Sequence, residues 1–444
     1  MIGLFRDLAL GLGLVAYAVR KRIGTGRWPA DLRSRSGRLA GPLRRAPEPR
    51  ILVHGVSVGE IHALEPLVKA LAASPAAPDI VVSATTATGF ERARRIHAPD
   101  REVVRFPLDF TWMTARFLET VRPDLVVLAE LELWPSFLAA CARRGIPVCV
   151  VNGRFSERSF RGYRRLGALA RPMFRQLALV TAQTATYRDR FTAMGVPAGR
   201  AVVGGSLKWD AARADPDPAE AAALAAALGI DRSRPLVVAG STGPGEEEVL
   251  MRGLPGGCQL LLAPRNPDRW DAVARLVPGL PRMSRAHASR PAANTPRSRA
   301  DASRPHEAAQ VFLLDTIGDL PAAYLLADAV FVGRSLIPLG GSNPLEAAAL
   351  EKPVVTGPHH ENFGGVVDAL RQEGGIAVSA DPMTVVRGWL ADPQSAAAVA
   401  EGARQAMARH RGVARATADR VLGLLPHPEA ATEGWKPLPK VNLS

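Results

Sequence analysis

Short apolar runs rich in β-branched residues alternate with Ala-, Leu- and Arg-rich helical stretches along almost the whole chain. This alternation is typical of βα units built around parallel sheets. The strands predicted in the first half are Ile51–His54, Ile80–Ala84, Val103–Phe106, Leu125–Ala129, Val148–Val151, Leu179–Ala182 and Ala201–Val203. Those predicted in the second half are Leu236–Gly240, Gln259–Ala263, Val311–Asp315, Ala329–Val332, Pro353–Thr356 and Gly375–Val378. The pattern predicts an α/β protein with parallel sheets.

The alternation is interrupted by an Asp- and Pro-rich stretch, residues 210–235, which indicates a linker that enters a helix. A chain of 444 residues is also longer than one hydrophobic core usually supports. We therefore predict two α/β domains, 31–212 and 213–425, after an N-terminal apolar segment, 1–30. Residues 281–308 are rich in Arg, Ser, Pro and Ala without an apolar period, which predicts a flexible insertion, and 426–444 are predicted to form an irregular tail.

The net charge of +14 is concentrated in two stretches. Residues 20–50 carry a net charge of +8 and residues 154–175 a net charge of +6, which together account for the whole excess. Ahead of the first stretch, the apolar run Leu8–Val19 is shorter than the roughly 17 to 25 residues that a spanning helix needs. An apolar helix followed by Arg20-Lys21-Arg22 predicts membrane attachment with the basic flank on the anionic cytoplasmic leaflet.

Other classes of partner are disfavoured by composition. Aromatic residues make up 5% of the chain and no nucleic-acid-binding module is recognisable, so we expect no nucleic acid partner. The three cysteines form no CxxC pair, which argues against a disulfide scaffold or a thiolate metal site and indicates a reducing compartment.

Three ionisable residues of the first half follow predicted strands. Glu60 lies in "VSVGE", where a strand gives way to a helix, and could either contact a ligand or complement the helix dipole. Glu130 and Glu132 in "LAELELWPS" share one side of an extended chain. One of them should contact a cation, a hydroxyl or a backbone amide, or else form a structural pair with an Arg. Lys208 in "VVGGSLKWD" is either an ordinary surface lysine or a group placed to meet a negatively charged substrate.

The second half carries the features of an anion site. "VVAGSTGPGEEE" resembles a phosphate-binding loop without the lysine of a P-loop nucleotidase, and Arg265 ends a strand where a guanidinium suits phosphate or carboxylate. In "GGSNPLEAAAL", Asn343 is a natural N-cap and Pro344 fits the first helical position. We expect the amides of that helix to bind an anion and Glu346 to accept ribose hydroxyls.

Taken together, these segments resemble the 3-deoxy-D-manno-octulosonic acid (Kdo) transferase family. The resemblance rests on ten motifs in one order: "VSVGE", "TTATG", "ELELWP", "NGRFSERSF", "GSLKWD", "GEEE", "APRNPDR", "DTIGDL", "GGSNPLEAAAL" and "GPHHENF". It implies a GT-B fold, with two Rossmann-like domains facing across a cleft, and an inverting transfer of Kdo from CMP-Kdo to a lipid A precursor (lipid IVA) in lipopolysaccharide core biosynthesis. It also implies no metal and no cofactor, and a location on the cytoplasmic face of the bacterial inner membrane.

The resemblance also implies roles for individual residues. Glu60 matches the catalytic base, and Glu130 and Lys208 match groups that assist the transition state. The segments that hold CMP match Pro264, Arg265, Ile317, Gly318, Asp319, Asn343, Pro344, Leu345 and Glu346. The family pattern leads us to expect histidine where this chain has Gly243, Asn266 and Ser342.

Two other functions remain open on the sequence. One keeps the GT-B fold but uses another nucleotide-sugar donor or glycolipid acceptor. The other is a non-catalytic, membrane-attached protein that binds a glycolipid.

Overall fold

The structure, a computed structural model, describes residues 35–36, 43, 47–212, 216–277, 279–284 and 310–425. The predicted N-terminal anchor (1–30), most of the predicted insertion (285–308) and the predicted tail (426–444) lie outside these residues. The chain divides into two compact units, one of which ends at Ala211 and resumes at Gly412, and the other of which comprises Ala212–Arg411.

The first unit is built on a parallel sheet of seven strands in the order β3-β2-β1-β4-β5-β6-β7. Its strands are β1 (Arg50–Gly55), β2 (Asp79–Ala84), β3 (Val103–Arg105), β4 (Leu125–Ala129), β5 (Val148–Gly153), β6 (Leu179–Ala182) and β7 (Ala201–Val203). Its helices up to Ala211 are α1 (Val58–Ala72), α2 (Ala87–His97), α3 (Thr111–Val121), α4 (Pro135–Arg143), α5 (Glu157–Leu166), α6 (Arg171–Arg175), α7 (Ala185–Met194) and α8 (Lys208–Ala211), with 3-10 turns at Gly167–Leu169 and Ala198–Arg200.

The second unit repeats this arrangement with six parallel strands in the order β10-β9-β8-β11-β12-β13. The strands are β8 (Leu236–Thr242), β9 (Gln259–Pro264), β10 (Val311–Leu313), β11 (Ala329–Val332), β12 (Val354–Thr356) and β13 (Ala377–Val378). The helices are α9 (Pro218–Leu228), α10 (Glu246–Gly253), α11 (Trp270–Ala274), α12 (Leu320–Leu326), α13 (Leu345–Ala348), α14 (Gly364–Gln372), α15 (Pro382–Ala391) and α16 (Pro393–His410), with 3-10 turns at Pro267–Arg269 and Glu361–Phe363.

The strands of the first sheet are covered by side chains on both faces. In β1, Leu52 packs into one hydrophobic cluster, while Ile51 and Val53 pack into the cluster on the opposite face. All three residues are fully buried, as the period-two alternation of a central strand requires. This burial on both faces explains why the strands appear in the sequence as continuous apolar runs.

The last helix, α17 (Val413–Leu422), belongs to the first unit. It packs against α1 and contributes Ala414, Ala418 and Val421 to a core cluster of that unit. The Asp210 carboxylate accepts hydrogen bonds from the backbone N–H groups of Gly412 and Ala414, both at 2.7 Å, and so caps the start of this helix. The sequence assigned residues 412–425 to the second domain, because an amphipathic pattern does not specify which sheet a helix covers.

In both sheets the strand order reverses direction at one place, between β1 and β4 in the first unit and between β8 and β11 in the second. Ligands of open α/β sheets bind beyond the carboxyl ends of the strands at such a switch point. The loops after these four strands are therefore where a functional site is expected. Among the helices that the structure describes, none combines the length and the apolar character needed to cross a bilayer.

Candidate active site

Glu60 lies in the first turn of α1, directly after β1 and therefore at the switch point of the first unit. Ser57, the N-cap, accepts a hydrogen bond from the Glu60 N–H at 3.4 Å, and its hydroxyl donates to Glu60 Oε1 at 2.8 Å. Glu60 Oε2 accepts from the Val56 N–H at 2.9 Å. This is a capping box, so the helix start itself fixes the carboxylate, which is half-buried.

Burial raises the pKa of Glu60, and the neighbouring Glu130 raises it further, against the hydrogen bonds from Val56 and Ser57 that lower it. The carboxylate still has acceptor sites left after these two hydrogen bonds. A carboxylate with a raised pKa is a stronger base than a solvated one, which is the property that a general base needs near neutral pH.

Glu130 and Glu132 follow β4, the neighbour of β1 at the switch point. Glu130 has a φ of 51°, in the left-handed region, and its N–H donates to Val151 O at 3.0 Å. The pKa of Glu132 is raised to about 7, first by burial and then by the charges of Glu60 and Glu130. Three carboxylates therefore share one small region.

Lys208 supplies positive charge to the same region. It begins α8, just after β7, and burial lowers the pKa of its ammonium, as does the charge of Arg154, whereas Glu130 and Glu60 raise it. The structure thus brings Glu60, Glu130 and Lys208 together, with Glu132 and Arg154 beside them.

Two residues that the sequence did not single out lie beside this cluster: Asn152 holds the turn before Lys208, and Arg154 adds positive charge. The side-chain oxygen of Asn152, at the end of β5, accepts the Leu207 N–H at 3.1 Å and so fixes the turn before Lys208. Arg154 follows two residues later. Both lie in the motif "NGRFSERSF", whose Asn-Gly pair at a strand end was the available signal.

In the second unit the predicted donor residues follow β9, β10 and β11, which with β8 form four consecutive strands of the sheet. Pro264 ends β9 and the exposed Arg265 follows it, Ile317, Gly318 and Asp319 follow β10, and Asn343–Glu346 follow β11. Arg265 and Glu346 both act on the buried Tyr324, whose pKa is raised mainly by burial. Ile317 is 78% exposed, and the Thr316 hydroxyl donates to Asp319. These residues thus lie beyond the carboxyl ends of the strands of this sheet.

The helix expected after Asn343 is shorter than the sequence indicated. α13 spans only Leu345–Ala348, with Pro344 at the N-cap position, and Asn343 Oδ1 accepts the Leu345 N–H at 3.2 Å. One turn of helix has little macrodipole, so the expectation of an anion site built on this helix is weakened. Gly340 and Gly341, with φ of 79° and 75°, bring the backbone against the segment 359–362, where added Cβ atoms would clash.

The loops after β8 and β11 are joined by a buried carboxylate, which the sequence did not predict. Glu246 is 1% exposed and accepts four backbone N–H groups, those of Gly243 (2.7 Å), Arg334 (2.6 Å), Ser335 (2.7 Å) and Leu336 (2.9 Å). Its neighbour Glu247 forms a two-bond salt bridge with Arg269 at 2.9 and 2.8 Å. The turn that resembled a phosphate-binding loop is thus filled by the chain's own acid.

The three positions where histidine was expected have structural roles here. Gly243 donates its N–H to Glu246, Asn266 caps the 3-10 turn Pro267–Arg269, and the Ser342 hydroxyl contacts Ser241 O at 3.5 Å. In the part of the chain that the structure describes, no group of three His, Cys, Asp or Glu residues is arranged to hold a metal ion.

Comparisons with known proteins identify the family. Residues 30–211 match the family model described as "3-Deoxy-D-manno-octulosonic-acid transferase (kdotransferase)". The 3-deoxy-D-manno-octulosonic acid transferase of Bordetella pertussis is 34% identical over 438 residues, which cover 93% of this chain and 96% of the relative. That of Haemophilus influenzae is 32% identical over 336 residues, 74% of this chain and 75% of the relative.

A solved structure supports the fold. HepE of Anabaena, in a complex with UDP-glucose, superposes with a TM-score of 0.56 at 15% identity, and covers 84% of this chain and 99% of its own. The likeness shows two parallel-sheet α/β domains of the GT-B kind. The fold, the family model and a relative matched over nearly its whole length together place the chain in the 3-deoxy-D-manno-octulosonic acid transferase family, and it is a glycosyltransferase.

Proposed function

We propose that the protein transfers Kdo from CMP-Kdo to a hydroxyl of a lipid A precursor, lipid IVA, with inversion at the anomeric carbon. The observation that carries this proposal is the cluster of Glu60, Glu130 and Lys208 at the switch point of the first unit. Family membership supports the sugar that is transferred.

In the proposed step the acceptor oxygen attacks the anomeric carbon of Kdo as the bond from that carbon to the CMP phosphate breaks. The acceptor proton passes to Glu60, whose raised pKa favours proton uptake. A general base contributes about 10² to 10⁴ in rate, which corresponds to about 3 to 5 kcal/mol of barrier. Direct displacement by the acceptor inverts the anomeric configuration.

Glu130 and Lys208 assist this step in the proposal. Positive charge on the developing oxocarbenium-like sugar is favoured by the carboxylate of Glu130, and Lys208 offers an ammonium to the carboxylate of Kdo or to the departing phosphate. Both groups act in a partly buried region, where charges interact more strongly than in water.

The donor is assigned to the second unit. CMP would be held by Pro264 and Arg265, by Ile317–Asp319 and by Asn343–Glu346, which follow β9, β10 and β11 of one sheet. Arg265 suits phosphate, and the half-buried Glu346 can accept ribose hydroxyls. We propose that the bound CMP-Kdo and the acceptor hydroxyl beside Glu60 come together for the transfer.

A lipid acceptor requires access to a membrane, which we propose to be the cytoplasmic face of the bacterial inner membrane. A described surface suits this role: α5 contains no buried residue, and Leu166 and Leu169 are 54% and 80% exposed. We call this the α5 surface and define it by Arg158, Arg161, Arg164, Arg165, Leu166 and Leu169. Its guanidinium groups complement an anionic leaflet, while the leucines can enter the acyl boundary.

The direct test incubates the purified protein with CMP-Kdo and a tetraacylated lipid A precursor, and follows CMP release and the mass of the lipid. We expect CMP and a heavier lipid with the wild type. Glu60→Gln should lower kcat by at least about 100-fold without unfolding the protein, because glutamine also completes a capping box. Glu91→Gln is the matched control, since Glu91 is an exposed acid on α2 of the same unit.

The alternatives give different results in the same assay. Product with another nucleotide sugar or glycolipid, and none with CMP-Kdo, would show that the enzyme uses a different donor or acceptor. Lipid binding without product from any donor would favour a non-catalytic glycolipid-binding protein. An undiminished kcat in Glu60→Gln would contradict the role of Glu60.

A further inference from the structure

The buried carboxylate of Glu246 joins two loops at the switch point of the second unit. Its four backbone donors come from both sides of this point, Gly243 after β8 and residues 334–336 after β11. A set of converging backbone amides is an anion-binding nest, and in many proteins such a nest holds a phosphate. Here the nest is occupied by the side chain, which leaves it no room for a phosphate of the donor.

The loops that meet in this nest have strained and crowded backbones. Ser241 and Arg334 are not glycines, yet have φ of 56° and 60°. A Cβ added at Gly333 would lie 2.6 Å from Thr242 Cα and 2.7 Å from Glu246 Oε2. Conformations of this kind persist only where surrounding contacts impose them, and the four hydrogen bonds to Glu246 provide such contacts.

Hydrogen bonds link the nest to the donor segment that begins at Asn343 and to the loop after β12. The Gly341 N–H donates to Arg334 O at 2.9 Å, which fixes the backbone just before Asn343. Ser335 holds the loop after β12, since its hydroxyl accepts the Gly357 N–H at 2.8 Å and its carbonyl accepts the His359 N–H at 2.9 Å.

The neighbouring acid, Glu247, is hydrogen-bonded to the end of β8 and to the segment after β9 that carries Arg265. The Thr242 hydroxyl donates to Glu247 at 2.6 Å, and Arg269 binds both Glu247 oxygens and Thr242 O. The Arg265 N–H also donates to Thr242 O, at 3.1 Å. Glu246 and Glu247, adjacent in sequence, thus tie together the loops after β8, β9 and β11.

We propose that Glu246 is a positioning residue for the nucleotide donor: by filling the amide nest it holds the loops after β8 and β11 in the conformation that binds the donor. This inference rests on the proposed function, because it concerns the same donor site. Glu246 itself would not touch the donor. Its loss should therefore weaken donor binding while leaving acceptor binding unchanged.

The test compares Glu246→Gln and Glu246→Asp with Glu248→Gln. Glutamine has one acceptor oxygen instead of two and turns an NH₂ group towards the amides, whereas aspartate keeps the charge on a shorter side chain. Glu248 is the matched control, since it lies on the same first turn of α10 and its Oε2 has no hydrogen-bond partner. The readouts are the Kd for CMP by calorimetry, KM for each substrate, kcat and Tm.

We expect Glu246→Gln to raise the CMP Kd and the donor KM at least about tenfold, with the acceptor KM within about twofold of wild type. Glu246→Asp should be intermediate, and Glu248→Gln unchanged. Hydrogen exchange should show lost protection over residues 333–343 in Glu246→Gln, a smaller loss in Glu246→Asp and none in Glu248→Gln. If Glu246→Gln does not fold, Glu246→Asp decides, and its donor KM must exceed that of Glu248→Gln.

A purely structural role would lower Tm and leave the CMP Kd and the donor KM of the folded variant at wild-type values, and that result overturns the inference. So does an equal rise in both substrate KM values, which would indicate general damage. The proposed function fails separately: a wild-type protein that neither binds CMP nor uses CMP-Kdo refutes the donor assignment and this inference with it. If the wild type turns over CMP-Kdo and Glu246→Gln has the wild-type CMP Kd and donor KM, the proposed function stands and only this inference is refuted.

Discussion

The side-chain oxygen of Asn152 accepts a hydrogen bond from the Leu207 N–H over 3.1 Å. Asn152 is 2% exposed and has a φ of 53°, and Leu207 is the residue immediately before Lys208. The bond connects the end of β5 to the turn that carries Lys208 into the carboxylate cluster. Asparagine suits the position because it both tolerates a left-handed backbone and offers an acceptor.

Asn152→Gly should separate these two properties, since glycine tolerates the backbone but has no acceptor. We expect a loss of about 1 kcal/mol of stability for the missing hydrogen bond, and a fall in kcat of about tenfold or more as Lys208 moves. Asn152→Asp keeps the acceptor oxygen and should retain more activity. Thermal unfolding and steady-state kinetics check this, and equal kcat values for the wild type and the glycine variant would disprove the positional role.

The carboxyl group of Glu132 should make stability depend on pH. Its pKa is raised to about 7 by burial and by Glu60 and Glu130, whereas in the unfolded chain it is near the ordinary value of 4.5. Between these values the folded state holds a proton that the unfolded state has lost. The stability that protonated Glu132 contributes is therefore fully present below pH 4.5 and is lost as pH rises through 7.

Glu132→Gln mimics the protonated group at every pH. We expect the variant and the wild type to have similar Tm values near pH 4.5, and the variant to be the more stable of the two at pH 8. Tm measured at intervals between these pH values tests the prediction. Parallel curves for the two proteins would show that Glu132 titrates at its ordinary pKa.

Removing one partner of the salt bridge between Glu247 and Arg269 is expected to destabilise the protein strongly. Glu247 is fully buried, so Arg269→Met leaves its charge without its main partner, at a cost of about 3 to 5 kcal/mol. The double variant Glu247→Leu/Arg269→Met removes both charges and should lose less than the single variant. Chemical denaturation of the wild type, both single variants and the double variant measures the coupling, and strictly additive losses would contradict it.

The α5 surface should contribute to membrane binding through Leu166 and Leu169. A leucine moved from water into an apolar environment gains about 1.5 to 3 kcal/mol, so Leu166→Ser/Leu169→Ser should weaken vesicle binding by at least about tenfold. Binding should also fall as the salt concentration rises, and should increase with the anionic lipid content of the vesicles. Leu339→Ser, at an exposed leucine of the second unit, is the control. If the double variant binds vesicles as strongly as the wild type, the α5 surface does not contribute to membrane binding.

The fold could be predicted from sequence because most of its strands are buried, and the central strands of each sheet are fully buried. Each of the thirteen predicted strands is present, and their ends differ by a few residues. The run from Val311 was expected to reach Asp315, but the strand stops at Leu313. The Asp315 carboxylate instead accepts hydrogen bonds from Arg282 and Ser284, a contact between distant residues that no local pattern reveals.

The site could be predicted only in part. Glu60, Glu130 and Lys208 were found because each follows a strand, and parallel strands bring such positions to one edge of the sheet. The role of Glu246 could not be found, because three of its four partners lie about 90 residues away and donate backbone groups that any residue carries. The raised pKa values of Glu132 and Glu60 likewise depend on burial, which a sequence does not state.

The position of α17 has a consequence for biosynthesis. A ribosome completes the strands and helices of the first unit up to Ala211 long before it reaches Val413, yet Ala414, Ala418 and Val421 belong to the hydrophobic interior of that unit. The apolar side of α1 that they cover must stay unshielded while some two hundred further residues are made. The half of the enzyme that is synthesised first is thus the one that finishes folding last, and a stop codon near residue 411 would damage it rather than the half just translated.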